Sequence, residues 1–239
     1  MQFHDLSLDE QLRTARRGTA YFSQKLAELT NGEFDHDTPL RGWTRRHLIA
    51  HVGYNAAALC RLLDWAATGI ETPMYSSADQ RAAEIAEGAT LNAGALRNLV
   101  SHTAARLDEK WRHLPAAAWS AKVRTAQGRV VPTSQTVWMR TREVWIHAVD
   151  LGNGAQFNDF PPVVLDGLLT DIVNAWRSRE AGSDLILAVD NRAPIAICDQ
   201  TSQQTTVSGS LAAIVRWAAG RGSIGIRING PQATPPRWL

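Results

Sequence analysis

Apolar residues recur at helical spacing as far as about residue 153, and the pattern then shortens into alternating runs. From residue 4 to about 31 the stripe is Leu8, Leu12, Ala15, Thr19, Phe22, Leu26 and Leu29, and Asn31-Gly32 supplies a stop. A loop follows through Asp37-Thr38-Pro39. Thr44 is then placed to cap a long apolar helix from Arg45 to about Thr68, with Gly69 as its stop. Residues 79 to 113 hold one or two helices, broken near Gly88 and Asn92-Ala93-Gly94, with Asn92 as cap of the second piece. Gln127-Gly128-Arg129 between short β-branched runs predicts a turn or small hairpin. A helix from Thr136 to Leu151 closes this part at Gly152-Asn153-Gly154.

Beyond that point Pro161-Pro162 opens a helix to about Ser178. Strands are predicted over Leu185–Val189, Ala193–Cys198 and Thr205–Ser208, then a short helix over Ser210–Ala219 and a last strand over Ile224–Ile228. The expected class is α+β. A helical bundle spans residues 1–153, and a small α/β domain spans 154–239.

Composition narrows the function. A chain of 239 residues with 44% hydrophobic and 20% charged positions is an ordinary globular protein. Its net charge is +2, and no like-charge run exceeds a few residues, which gives no footprint for nucleic acid. The start, Met-Gln-Phe-His-Asp, lacks the features of a signal peptide, and no apolar stretch nears the ~18 residues needed to cross a membrane. Cys60 and Cys198 stand far apart in no paired motif, which fits a cytoplasmic protein. Without an obvious exposed apolar repeat, the expected state is a monomer. The nine tryptophans are read mainly as core filling.

The helix from Thr136 to Leu151 carries the chemistry. It is apolar on most sides, which marks a buried helix. Yet Thr136, Arg140, Glu143, His147 and Asp150 make one polar line along it. Glu143 and His147, four apart, project one turn from each other and can close on one metal ion. On the helix from Arg45, His51 lies roughly 60° from the centre of the apolar face and can reach the interior. His47 lies four residues away on the same side, nearer the solvent edge, so spacing leaves the two histidines in competition. Two imidazoles and one carboxylate suit zinc with an open fourth position, the arrangement of a catalytic site. The plainer readings are a surface ion pair between Glu143 and Arg140 and a satisfied core histidine at His51. Glu-x-x-x-His alone is a weak motif.

Three stretches, Gly42-Trp43-Thr44-Arg-Arg-His-Leu-Ile-Ala-His51-Val, Arg142-Glu143-Val-Trp-Ile-His147-Ala-Val-Asp150-Leu and Gly209-Ser-Leu-Ala-Ala-Ile-Val-Arg-Trp-Ala-Ala-Gly220-Arg221-Gly222, resemble the mycothiol-dependent maleylpyruvate isomerases of actinobacteria. The resemblance runs through nearly the whole chain to the terminal Pro-Pro-Arg-Trp-Leu. It implies a DinB-like four-helix bundle, followed by a small domain similar in part to sterol-carrier folds. It also implies a zinc held by His51, Glu143 and His147, which favours His51 over His47, and a functional arginine at Arg221.

The implied activity is cis–trans isomerisation of maleylpyruvate to fumarylpyruvate, in aromatic breakdown through gentisate. Mycothiol, a low-molecular-weight thiol, would act as nucleophile on the dicarboxylate substrate. Arg221 would hold a carboxylate or keto oxygen in a bidentate fork, against the alternative of a residue that merely suits a helix C-terminus. Neither cysteine is expected to be the nucleophile. Two other functions stay open: a zinc-dependent mycothiol S-transferase on the same scaffold, and a non-catalytic ligand carrier.

Overall fold

A computed structural model describes residues 2–198, 204–231 and 234–238. Leu239, the last residue of the tail motif, lies outside them. Contacts divide the chain into two compact units, one of Ser7–Ala155 and one of Gln156–Leu239 together with Met1–Leu6. The class is α+β, a helical bundle and a small mixed-sheet domain.

In the first unit, α1 (Leu8–Glu28), α2 (Arg45–Thr68), α4 (Ala93–His113) and α5 (Gln135–Asp150) form the bundle, and α3 (Ala78–Gly88) packs on α2. The chain ahead of Ser7 does not join α1. Ser7 and Glu10 form a reciprocal capping box that starts the helix there, and Phe3–Asp5 is a separate 3-10 turn. The bounds of α2 follow from its ends. Gly69 closes it at a φ of 75°, a left-handed conformation that suits glycine. At its start the backbone N–H of Thr44 donates to His47 Nδ1 at 3.3 Å. Asn92 caps α4 through a bond from the Ala95 N–H of 2.9 Å. A hairpin of β1 (Lys122–Arg124) and β2 (Val130–Pro132) leads into α5.

Close approach of α1 and α5 depends on Gly18. A Cβ there would fall 2.5 Å from the indole of Trp145 and 2.7 Å from Val144. The packed interior includes Trp138, Trp145, Leu48, Val52, Leu59 and Leu63. The polar line of α5 is interior as well. Thr136, Arg140 and Asp150 are all buried, so the reading of Glu143–Arg140 as a surface ion pair is wrong. Arg140 Nη1 instead donates to the Val52 carbonyl at 2.8 Å and to Asn55 Oδ1 at 3.1 Å.

In the second unit α6 (Pro162–Ser178) and α7 (Leu211–Ala218) accompany a sheet of order β4 (Ile195–Ala196), β3 (Leu185–Val189), β5 (Thr205–Gly209), β6 (Ile226–Asn229). The central β3 and β5 run parallel, and both outer pairings are antiparallel. Alternate residues of β3 and β5 are buried, and α7 packs on the sheet. Two strands are shorter than their sequence suggests. Pro194 lacks an N–H and follows a turn with Asn191 at a φ of 60°, so β4 begins only at Ile195. Gly225, at a φ of 83°, delays β6 past the exposed Ile224. The tail is irregular but anchored: the Trp176 indole donates to the Pro236 carbonyl at 3.1 Å.

Candidate metal centre

His51 comes from the middle of α2, and Glu143 and His147 come from one face of α5. The helix period sets the latter two one turn apart, as their spacing requires. The structure brings the three together inside the bundle, with one ligand atom of each within 4.8 Å of the others. Glu143 Oε2 lies 3.0 Å from His51 Nε2 and 3.2 Å from His147 Nε2. The imidazoles meet edge to face at 5.0 Å between centroids. His47 is not part of the cluster. Its Nδ1 faces the Thr44 hydroxyl at 2.9 Å and serves the start of α2.

Each of the three responds differently to burial. Burial alone would raise the Glu143 carboxyl, but hydrogen bonds from His147 and His51 outweigh it and hold the group well below its ordinary value. Burial would lower His147, yet its bonds to Asp150 and Glu143 push it up to about 9. For His51 burial dominates and the imidazole is lowered, despite Glu143. The cluster thus holds an anionic carboxylate, a protonated His147 and a neutral His51. His51 then donates from Nε2 to Glu143, and its Nδ1 faces Arg81 Nη2 at 3.4 Å.

Other described groups face the three side chains. His147 Nδ1 lies 2.9 Å from the fully buried carboxylate of Asp150. Trp43 tilts against the His51 ring at 5.3 Å. Arg140, one turn before Glu143, is a buried cation whose Nε and Nη2 have no hydrogen-bond partner among the described residues. Burial lowers it to about 10. Tyr75, in the segment between α2 and α3, is electrostatically coupled to Arg81 and Glu143.

The donor set, two imidazoles and one carboxylate with a further carboxylate behind one imidazole, could hold a metal ion. A family model for the mycothiol maleylpyruvate isomerase N-terminal domain matches residues 15–152, and one for the MDMPI C-terminal domain matches residues 159–237. The chain belongs to the mycothiol maleylpyruvate isomerase family. Among solved structures, one described as the crystal structure of the mycothiol-dependent maleylpyruvate isomerase is 52% identical over 100% of both chains, with a TM-score of 0.96. A histidine-to-alanine mutant of that enzyme matches with the same identity, coverage and TM-score. No curated protein matches.

The three motifs fall within the matched residues. Arg221 lies in the second unit, in the turn after α7, between Gly220 and Gly222, both in left-handed conformations. Its Nη1 donates to the Ala219 carbonyl at 2.5 Å, and its own carbonyl accepts from Arg216 Nε at 2.8 Å. Cys60 is buried, and its thiol is pushed up to about 11, so it is inert at neutral pH. Cys198 is exposed in the second unit. Sequence reasoning missed Asp150 as a partner of His147, although it had placed Asp150 on the same polar line. It missed Arg81 and Tyr75 altogether, because nothing in α3 or the preceding segment marks them by spacing. No described helix is long and apolar enough to cross a membrane.

Proposed function

We propose that the protein catalyses mycothiol-dependent conversion of maleylpyruvate to fumarylpyruvate, with a zinc ion held by His51, Glu143 and His147. One observation carries the reading: a His–Glu–His cluster, buried at His51 and half-buried at Glu143 and His147, in a chain 52% identical, end to end, to a mycothiol-dependent maleylpyruvate isomerase. A zinc ion at such a donor set keeps a bound thiol in its thiolate form at neutral pH.

The chain's own residues do the rest. Cys60 is buried and keeps its proton at neutral pH, and the nucleophile is assigned to the external thiol. Its sulfur forms a bond to one alkene carbon, and the π pair moves towards the conjugated carbonyl. The former double bond then rotates. Return of the pair expels the thiolate and leaves the trans alkene, so the thiol is regenerated and nothing is oxidised. Glu143 contributes negative charge, which keeps the sulfur electron-rich and nucleophilic. Asp150 fixes the orientation of His147. Arg221 is assigned to a carboxylate or keto oxygen of the substrate, as a bidentate donor.

The test is absorbance-monitored conversion of maleylpyruvate by zinc-loaded protein, with and without mycothiol, beside His51→Ala. Fumarylpyruvate formation that needs both mycothiol and His51 supports the proposal. A stable mycothiol conjugate as product would move the function to S-transfer. No thiol-dependent chemistry on any electrophile, with zinc still bound, would leave a ligand carrier.

A further inference from the structure

The two histidines of the cluster differ behind their rings. A histidine that binds a metal through Nε2 carries its proton on Nδ1, and that N–H needs an acceptor. For His147 the acceptor is Asp150, at 2.9 Å. For His51 the only group that the described structure sets at Nδ1 is Arg81 Nη2, 3.4 Å away. A guanidinium has donors and no acceptor. Metal ligation through Nε2 therefore leaves two donors, one of them cationic, facing the same point.

The surroundings hold that arrangement in place. Arg81 sits on α3, which lies flush against α2: a Cβ on Gly88 would come 2.6 Å from the Tyr54 ring and 2.8 Å from the Ala50 Cβ. Glu84 on α3 also pairs with Arg61 on α2 at 3.3 Å. Among the described residues Arg81 makes no ion pair with a carboxylate. The Tyr75 phenol, coupled to Arg81 and pushed up to about 12 by burial, remains a donor rather than an anion. Arg81 and His51 Nδ1 thus face each other with no described acceptor bonded between them.

We propose that Arg81 and the Nδ1–H of His51 together bind one carboxylate of the dicarboxylate substrate, which gives His51 the acceptor that His147 finds in Asp150. The identity of that dicarboxylate and the proton on Nδ1 both rest on the metal-loaded site proposed above, while the approach of Arg81 to that nitrogen is a feature of the fold. Arg81 is then a substrate-binding residue of the bundle, beside the metal ligand rather than on the metal.

The experiment titrates maleate, a cis-dicarboxylate without the keto group, into zinc-loaded full-length protein by calorimetry, for wild type, Arg81→Lys and Arg81→Gln. Zinc affinity is measured separately by chelator competition. Arg81→Gln should weaken maleate binding about tenfold or more, as loss of a charge-assisted pair implies. KM for maleylpyruvate should rise by a similar factor, with zinc affinity and the KM for mycothiol unchanged. Arg81→Lys should recover part of the loss. Unchanged maleate binding overturns the proposal, and so does a loss confined to mycothiol or to zinc affinity. Arg81-dependent maleate binding in a protein that cannot isomerise maleylpyruvate would support the anion site while refuting the reaction. Isomerisation indifferent to Arg81 would do the reverse.

Discussion

The Nδ1 atom of His147 stands 2.9 Å from a carboxylate oxygen of Asp150, whose side chain is wholly removed from solvent. One α5 turn thus supplies both a proposed metal ligand and the group that fixes its ring. Asp150→Asn keeps the size but removes the charge. It should lower zinc affinity by about 10–100-fold, the usual effect of removing such a partner. Chelator competition measures this, with far-UV circular dichroism as the check on folding. Wild-type affinity in a folded variant would show that Asp150 is structural only.

Zinc binding should depend on pH through His147. Its raised value of about 9 means that a proton must leave before the ring can serve a metal. Apparent zinc affinity should therefore rise about tenfold per pH unit from neutral pH and level off near 9. In the zinc-free protein the same shift stabilises the fold fully below the ordinary histidine value, about 6.5, and that stability is lost as pH rises through about 9. Chelator competition at several pH values tests the slope, and a flat profile would contradict it.

His47 and His51 should separate cleanly. His47→Ala removes a partner of Thr44 at the start of α2 and should cost about 1 kcal/mol of stability with zinc affinity intact. His51→Ala removes a ligand and should abolish tight zinc binding. Urea unfolding and metal analysis of both variants decide between them. Zinc loss in His47→Ala would reverse the assignment.

Arg140 is a buried cation near the site with two donor atoms left without partners among the described residues. Arg140→Met removes positive charge from beside a divalent ion, so zinc affinity should rise, by about tenfold at most given the screening inside proteins. A fall would mean instead that Arg140 holds Glu143 in position. The comparison needs only chelator competition on the two folded proteins.

The fold was legible where ends are chemically marked. Thr44 and Gly69 bracket α2, Asn92 starts α4, and Pro161-Pro162 opens α6, and all of these are local signals. The short strands were less so, because Pro194 and Gly225 cut β4 and β6 through turn geometry that alternation does not reveal. Glu143 and His147 were visible as a pair because one helix sets their separation. The choice between His47 and His51 needed the family resemblance. In the structure His51 lies with Glu143 and His147, and His47 faces Thr44. Arg81 could not be found in the sequence, since its meaning depends on how α3 lies against α2. The alternative that paired Arg140 with Glu143 at the surface fails, because a polar line on a helix is compatible with a wet face until the neighbouring helices are placed around it.

The closest ligand contact across the bundle joins residues 92 positions apart, His51 on α2 and Glu143 on α5. An ion bound there would act as a reversible crosslink, closing a long loop of chain that the unfolded state leaves open. Every tenfold excess of free ion over its dissociation constant would add about 1.4 kcal/mol to the folded state. A cell starved of the ion would therefore lose the protein itself to unfolding and proteolysis, along with its activity, so the supply of metal would govern abundance as well as turnover.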